Sequence, residues 1–276
     1  MTMVNPLQKH FRQPKLYINL PSRGAYNKPG TYQGDITKLP VYGMTGMDEI
    51  ILRTPDALLS GESTANIMSS CIPNLQDPWD VSIIDSILIL SAIRIATYGN
   101  EMHVEQNCPN CGEANEYDIN LNKVMEHYMP LQFQGKIVLK DISINIQPLN
   151  YRQSTEFNLR NFQLQQRIAQ ANVIEDKVQQ QEIVNEMFKE LAKIQAEIFM
   201  CIVESVETTD TRVTERQYIN EWLANCDKEI YDAIKNQNQI NNDTWTMPKF
   251  PVKCTHCEHE SMITVDLDNS NFFGQA

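Results

Sequence analysis

The chain has 276 residues, 42% of them hydrophobic, enough for one large or two modest cores. Its formal net charge of −12 speaks against a role built on phosphate backbones, where clustered Lys and Arg supply most of the affinity. Seven cysteines behind an N-terminus (MTMVNPLQKHFRQPK) that lacks the apolar run of a secretion signal argue against a disulfide framework and leave metal binding as the default for paired cysteines.

In chain order, residues 1–45 read as an extended arm and first strand. LPSRG (Leu20 to Gly24) and NKPG (Asn27 to Gly30) carry turn chemistry, and GDITKLPVY predicts a strand whose apolar members are Ile36, Leu39 and Val41. From Thr45 to about Gly99 the pattern is helical. Asp48 and Glu49 suit a first helical turn, Pro55 opens PDALLSG, and Glu62 to Ile72 forms another short helix. Asp80 is the expected N-cap of the apolar run Val81 to Tyr98, which stops at Gly99. Asp85 and Arg94 within that run predict a buried core helix rather than a membrane span, because charges at bilayer depth are costly.

GKIVLKDISINIQPL (Gly135 to Leu149) predicts two strands joined by a tight turn near Lys140 and Asp141. Composition then changes. Tyr151 to about Ile240 is rich in Gln, Glu, Asn and Lys and holds neither Gly nor Pro. Ile183, Met187, Leu191, Ile194, Ile198 and Cys201 recur at spacings of three and four, the stripe of a long amphipathic helix. Arg160 to Val173 is its expected antiparallel partner, and Glu215 to Ile234 adds one or two more helices. Leu191, Ile194, Ile198 and Val203 are the candidate partner contacts of this helical insertion, as in the mode where an apolar helix edge meets a partner's groove. The alternative is that the block simply packs on its own domain.

Two stretches carry cysteine pairs: CPNCGEANEYDINL from Cys108 and CTHCEHESMITVDL from Cys254. Aligned without gaps, Cys108 and Cys111 fall on Cys254 and Cys257, while Tyr117, Ile119 and Leu121 fall on Ile263, Val265 and Leu267. Each half is a CxxC turn followed by a strand with period-two apolar residues, the repeat of a zinc ribbon. Four thiolates would close a tetrahedral structural Zn²⁺ site with no open position for substrate. The distance between the pairs in sequence weighs little, because loop-closure entropy grows only logarithmically. His256 and His259 stand as alternative ligands, and Glu258 occupies the place that Gly112 takes in the first knuckle. A redox CxxC would need a helix after the cysteines, and here a strand follows. A nucleic-acid-binding ribbon would need basic neighbours. Instead Glu101, Glu105, Glu113, Glu116, Glu258 and Glu260 surround the knuckles.

Nothing in the sequence specifies catalysis: it has no HExxH, no P-loop, no GxGxxG and no GxSxG. The order of motifs goes further. LPSRG, then MTGMDE (Met44 to Glu49), PDALLSG, a helix with Cys71, IRIATYG (Ile93 to Gly99) and CPNCG together resemble the baseplate hub and hub-assembly proteins of T-even-like contractile-tailed bacteriophages. The resemblance covers about residues 18–122. It implies a non-enzymatic virion or assembly component in the tail baseplate, put together in the host cytoplasm. Its implied partners are other hub proteins and the tape-measure protein, in several copies, with no nucleic acid and no membrane span. LPSRG, MTGMDE and IRIATYG carry over as folding signatures rather than binding residues. A zinc-ribbon adaptor in transcription or nucleic-acid processing is the alternative.

The expected fold is α+β: a small antiparallel sheet containing Ile36–Val41 and the strands between Ile137 and Ile146, covered by the N-terminal helices. The expected divisions are 1–45, an α+β core with the first knuckle at 46–150, a helical insertion at 151–245, and the second knuckle with a C-terminal strand at 246–276.

Overall fold

The computed structural model describes residues 5–52, 60–171 and 176–265. Most of PDALLSG, Val173 and the Leu267 end of the last expected strand lie outside the described residues. The chain divides into two compact units, one drawn from Met1–Leu131 and Thr246–Ala276, the other Gln132–Trp245. The class is α+β with small antiparallel sheets.

In the first unit, β1 (Leu16–Ile18) pairs antiparallel with β2 (Leu39–Val41), Leu16 opposite Val41. Helices α1 (Gly46–Leu52), α2 (Glu62–Cys71) and α3 (Ile83–Tyr98) follow. Apolar residues surround α3 on every side, so it must be covered on every side. Leu88, Ile89, Ala92 and Ile93 are accordingly buried. Among the described residues no helix is long and apolar enough to cross a membrane.

Two carboxylates near the start of α3 gather the turn-rich arm. Asp85, fully buried, accepts from the Ser22 backbone N–H at 3.0 Å and from the Ser22 hydroxyl. Asp80 accepts from the Lys28 N–H at 2.7 Å and the Thr31 hydroxyl at 2.9 Å, and pairs with Lys28 Nζ at 2.8 Å. Asp80 is therefore not the N-cap of the apolar helix. It sits in a 3-10 turn, Pro78–Asp80, and faces the arm, while Ser82 takes the cap position with its N–H donating to Asn27 Oδ1 at 2.9 Å. MTGMDE and IRIATYG acquire physical roles as well. Thr45 and Asp48 cap α1 reciprocally, Thr45 N–H to Asp48 Oδ2 at 2.7 Å and Asp48 N–H to Thr45 Oγ1 at 3.2 Å. The Met44 N–H donates to Thr97 Oγ1 at 2.9 Å, joining the two motifs.

After α3 come β3 (Glu101–Asn107), β4 (Ala114–Asn120) and α4 (Asn122–Tyr128). The hairpin β3–β4 keeps register from Glu101↔Asn120 to Asn107↔Ala114.

The second unit holds a four-stranded antiparallel sheet of β5 (Lys136–Leu139), β6 (Ile142–Ile146), β7 (Val203–Glu207) and β8 (Arg212–Val213), in that order. The tight turn between β5 and β6 falls at Lys140, whose φ of 48° is left-handed. Helices α5 (Tyr151–Ala171) and α6 (Lys177–Ile202) form a hairpin, followed after β8 by α7 (Arg216–Asn225) and α8 (Lys228–Thr244).

Two expectations are corrected here. Residues 36–41 and 137–146 do not share a sheet: β2 pairs with β1, whereas β5 and β6 pair with β7 and β8. Nor is the tract from Tyr151 to Ile240 purely helical, since VESVE forms β7 with Val203, Ser205 and Val206 buried. The reason is local. VESVETTDTRV is rich in β-branched residues and turns back at Thr208, whose N–H donates to the Thr211 carbonyl at 2.8 Å.

Candidate metal centre

The C-terminal segment returns to the first unit as a second hairpin, β9 (Lys249–Lys253) with β10 (Glu260–Thr264), Glu260 opposite Lys253. Each CxxC thus occupies the turn of a two-stranded hairpin, and the two turns repeat one another bond for bond. The Cys108 N–H donates to the Glu113 carbonyl and the Cys254 N–H to that of His259, both at 2.9 Å. Gly112 N–H donates to the Cys108 carbonyl at 2.9 Å and Glu258 N–H to that of Cys254 at 3.1 Å. Both fifth positions are left-handed, φ 78° at Gly112 and 58° at Glu258. The second knuckle keeps the geometry of the first although a side chain has replaced glycine, a backbone strain of about 1 kcal/mol or somewhat more.

These turns bring Cys108, Cys111, Cys254 and Cys257 together, with all four sulfurs within 4.8 Å of one another. Cys108 Sγ lies 3.7 Å from Cys257 Sγ, and Cys111 Sγ 3.7 Å from Cys254 Sγ. Disulfide sulfurs stand about 2.05 Å apart, so these are not bonded pairs. Sulfurs on a tetrahedron about 2.3 Å from its centre are about 3.8 Å apart. The cluster therefore has the size that one thiolate-bound metal fills.

Polar groups around the sulfurs favour thiolates. Asn110 Nδ2 donates to Cys257 Sγ at 3.6 Å and the His256 N–H to Cys254 Sγ at 3.4 Å. Burial opposes ionisation of Cys254, yet the N–H groups of Cys257 and His256 bring its pKa down to about 6. For Cys111 the Glu113 N–H favours the thiolate, but burial and the three neighbouring sulfurs push its pKa up to about 12. Without a cation the four sulfurs cannot all hold charge at this spacing, which is what a divalent ion would relieve. His256 and His259 are exposed, and neither joins the sulfur group among the described residues.

Asn115 ties the knuckles together without metal, a role the sequence did not reveal. It is buried, its Oδ1 accepts from the Thr255 N–H and hydroxyl at 2.9 Å each, and its Nδ2 donates to the Glu113 carbonyl at 2.9 Å. Tyr117 is half-buried, while Ile119, Leu121, Ile263 and Val265 are buried beneath the hairpins.

The four residues singled out on the helical block fall on the unit's own packing. Ile194 is buried with Phe157, Leu164 and Met187 between α5 and α6, and Leu191 and Ile198 are half-buried against the same cluster. Val203 opens β7 and is buried among Ile144, Phe199 and Ile234.

A family model described as T4 bacteriophage base plate protein matches residues 48–274. The chain belongs to that family. The match runs through both knuckles and the whole second unit, so neither is foreign to the baseplate protein. No curated protein and no solved structure matches the chain. Membership makes this a structural component of the phage baseplate, and hence of the virion tail. It also agrees with a sequence that carries no catalytic motif.

Proposed function

We propose that this baseplate protein is a non-enzymatic assembly component of the baseplate hub. It binds other hub proteins and the tape-measure protein, is present in several copies, and is assembled in the host cytoplasm. Cys108, Cys111, Cys254 and Cys257 hold one structural Zn²⁺ per chain. The family match over residues 48–274 carries the baseplate part of this reading. The succession of LPSRG, MTGMDE, IRIATYG and CPNCG points to the hub. The all-thiolate donor set favours zinc over hard cations, and four protein ligands leave no open coordination position for catalysis.

Bound zinc would join two hairpins from distant parts of the sequence and act as a staple. The remaining surface is what partners would meet. Co-expression with the hub and tape-measure proteins of the same phage, followed by size-exclusion chromatography and metal analysis, tests both parts. A stable complex and one zinc per chain are expected. A chain that elutes alone with every hub protein rejects the hub assignment, and a cluster that purifies with iron or with no metal rejects zinc.

A further inference from the structure

The four clustered sulfurs differ in what can reach them. Cys111 is exposed and Cys257 half-buried, whereas Cys108 and Cys254 are buried. Each of the two 3.7 Å contacts joins an accessible sulfur to a buried one of the other knuckle, Cys111 to Cys254 and Cys257 to Cys108. Asn115 holds the knuckles against each other through hydrogen bonds of the protein alone, its Oδ1 accepting from the Thr255 N–H and hydroxyl. The facing sulfurs therefore stay opposed whether or not a metal lies between them. Closing either contact to a disulfide, about 2.05 Å long, asks for a movement of roughly 1.7 Å shared between two side chains.

We propose that these sulfurs are also a site of oxidative cross-linking, at which peroxide converts the facing pairs Cys111–Cys254 and Cys108–Cys257 into two disulfides that join the knuckles covalently. The inference deepens the four-cysteine reading and rests on it for the metal-loaded protein. Exposure decides which sulfur begins. The Cys111 thiol attacks hydrogen peroxide, its sulfur takes one oxygen, the O–O bond breaks and water leaves, giving a sulfenic acid. The buried Cys254 thiol then attacks that sulfur. An S–S bond forms, the S–O bond breaks, and the hydroxyl departs with the thiol proton as a second water. Two thiols thus give up two electrons, and one peroxide is reduced to two waters. Cys257 and Cys108 repeat the step with a second peroxide. Disulfide sulfurs no longer serve as thiolate ligands, so a bound ion leaves in the same event. Loss of metal by this route does not part the hairpins, because bonds between residues 143 and 149 positions apart replace it. A disulfide within one CxxC would release the ion and leave only Asn115 between the turns. A reducing cytoplasm favours the thiol form and an oxidising exterior the disulfide form, which suits a component of a particle that leaves its host.

The test uses the full-length chain, purified with reductant, analysed for metal, then freed of reductant and treated with hydrogen peroxide. Cleavage after Arg94, Lys123 and Lys253 yields one fragment with Cys108 and Cys111 and another with Cys254 and Cys257. Without reduction, mass spectrometry should find the two fragments joined. They should separate on adding a dithiol, and the joined form should grow as bound metal is lost. The double variant Cys108→Ser/Cys257→Ser, which keeps Cys111 and Cys254, should cross-link about tenfold or more faster than Cys111→Ser/Cys257→Ser, which keeps the two buried sulfurs. Equal rates for the two folded variants overturn the proposal, and the wild-type mapping decides alone should either fail to fold. Wild-type fragments that stay separate, with disulfides inside each CxxC or with sulfinic acids, also overturn it. A content of one metal per chain before peroxide then leaves the four-cysteine reading standing. If the chain purifies without metal and its fragments still join, the zinc reading falls and the cross-link stands.

Discussion

In the first unit the two ribbon hairpins come from distant parts of the chain, Cys108 and Cys257 lying 149 residues apart, and their turns meet at four sulfurs and Asn115. The second unit joins its own ends without any such device. Buried Asn241 near its end accepts from the Gln134 N–H at 3.1 Å and donates to the Gln134 carbonyl at 3.0 Å, while Phe199, Ile144, Val203 and Ile234 fill a continuous apolar core. Short β-ribbons bury little apolar surface of their own, and the proposed metal would add a cross-link at their turns. A sheet covered by amphipathic helices needs no such help.

That contrast can be broken most severely at the sulfurs. Cys254→Ser should abolish tight metal binding, which in zinc-finger peptides amounts to about 10–16 kcal/mol. Amide exchange should then become fast in β3, β4, β9 and β10 while β5 to β7 stay protected. Loss of protection across the sheet as well would show that the units are not separate. In the second unit, Phe199→Ala removes a buried ring packed 4.8 Å from Tyr231 and should cost about 3–5 kcal/mol by chemical denaturation, with the metal content unchanged.

Asp85 supplies the next effect. Asp85→Ala strands the Ser22 N–H and hydroxyl, at about 1–3 kcal/mol for each buried group left unpaired. Burial raises the Asp85 pKa against the pull of Ser22 and Asn27. A raised folded-state pKa means a contribution present in full below the ordinary carboxylate range and lost as pH rises through the raised value. Melting temperatures of the wild type should therefore fall relative to Asp85→Asn as pH increases, and parallel curves would reject this. Asn115→Ala should cost about 1–3 kcal/mol and loosen the knuckles in hydrogen exchange even with metal present. The smallest change is Glu258→Gly. It relieves a left-handed φ and should stabilise the second knuckle by about 0.5–1 kcal/mol, while Gly112→Ala destabilises the first. Equal signs for the two would contradict the equivalence of the turns.

Much of this was legible in the amino acids. Period-two apolar residues after each CxxC marked the paired hairpins, the stripe from Ile183 to Cys201 marked α6, and the largely apolar run before Gly99 marked α3. Other features were not. Asp80 looked like a cap because its spacing to the apolar run suited one, and only the fold showed that Lys28 and Thr31 claim it. VESVE was absorbed into the helical tract because five residues of alternation are faint beside twenty-six of helical stripe. Of the four apolar residues offered to a partner, Ile194 and Val203 are packed inside, since the stripe that would dock a helix is the same stripe that builds a hairpin core.

By itself the sequence determined the element types, the pairing of the two knuckles and the family they belong to, because periodicity, turn chemistry and ligand spacing are local properties. Tertiary structure decided which strands share a sheet, what the buried carboxylates hold, and which sulfur faces which across the two knuckles. Those depend on contacts between residues far apart in the chain, which no local pattern encodes.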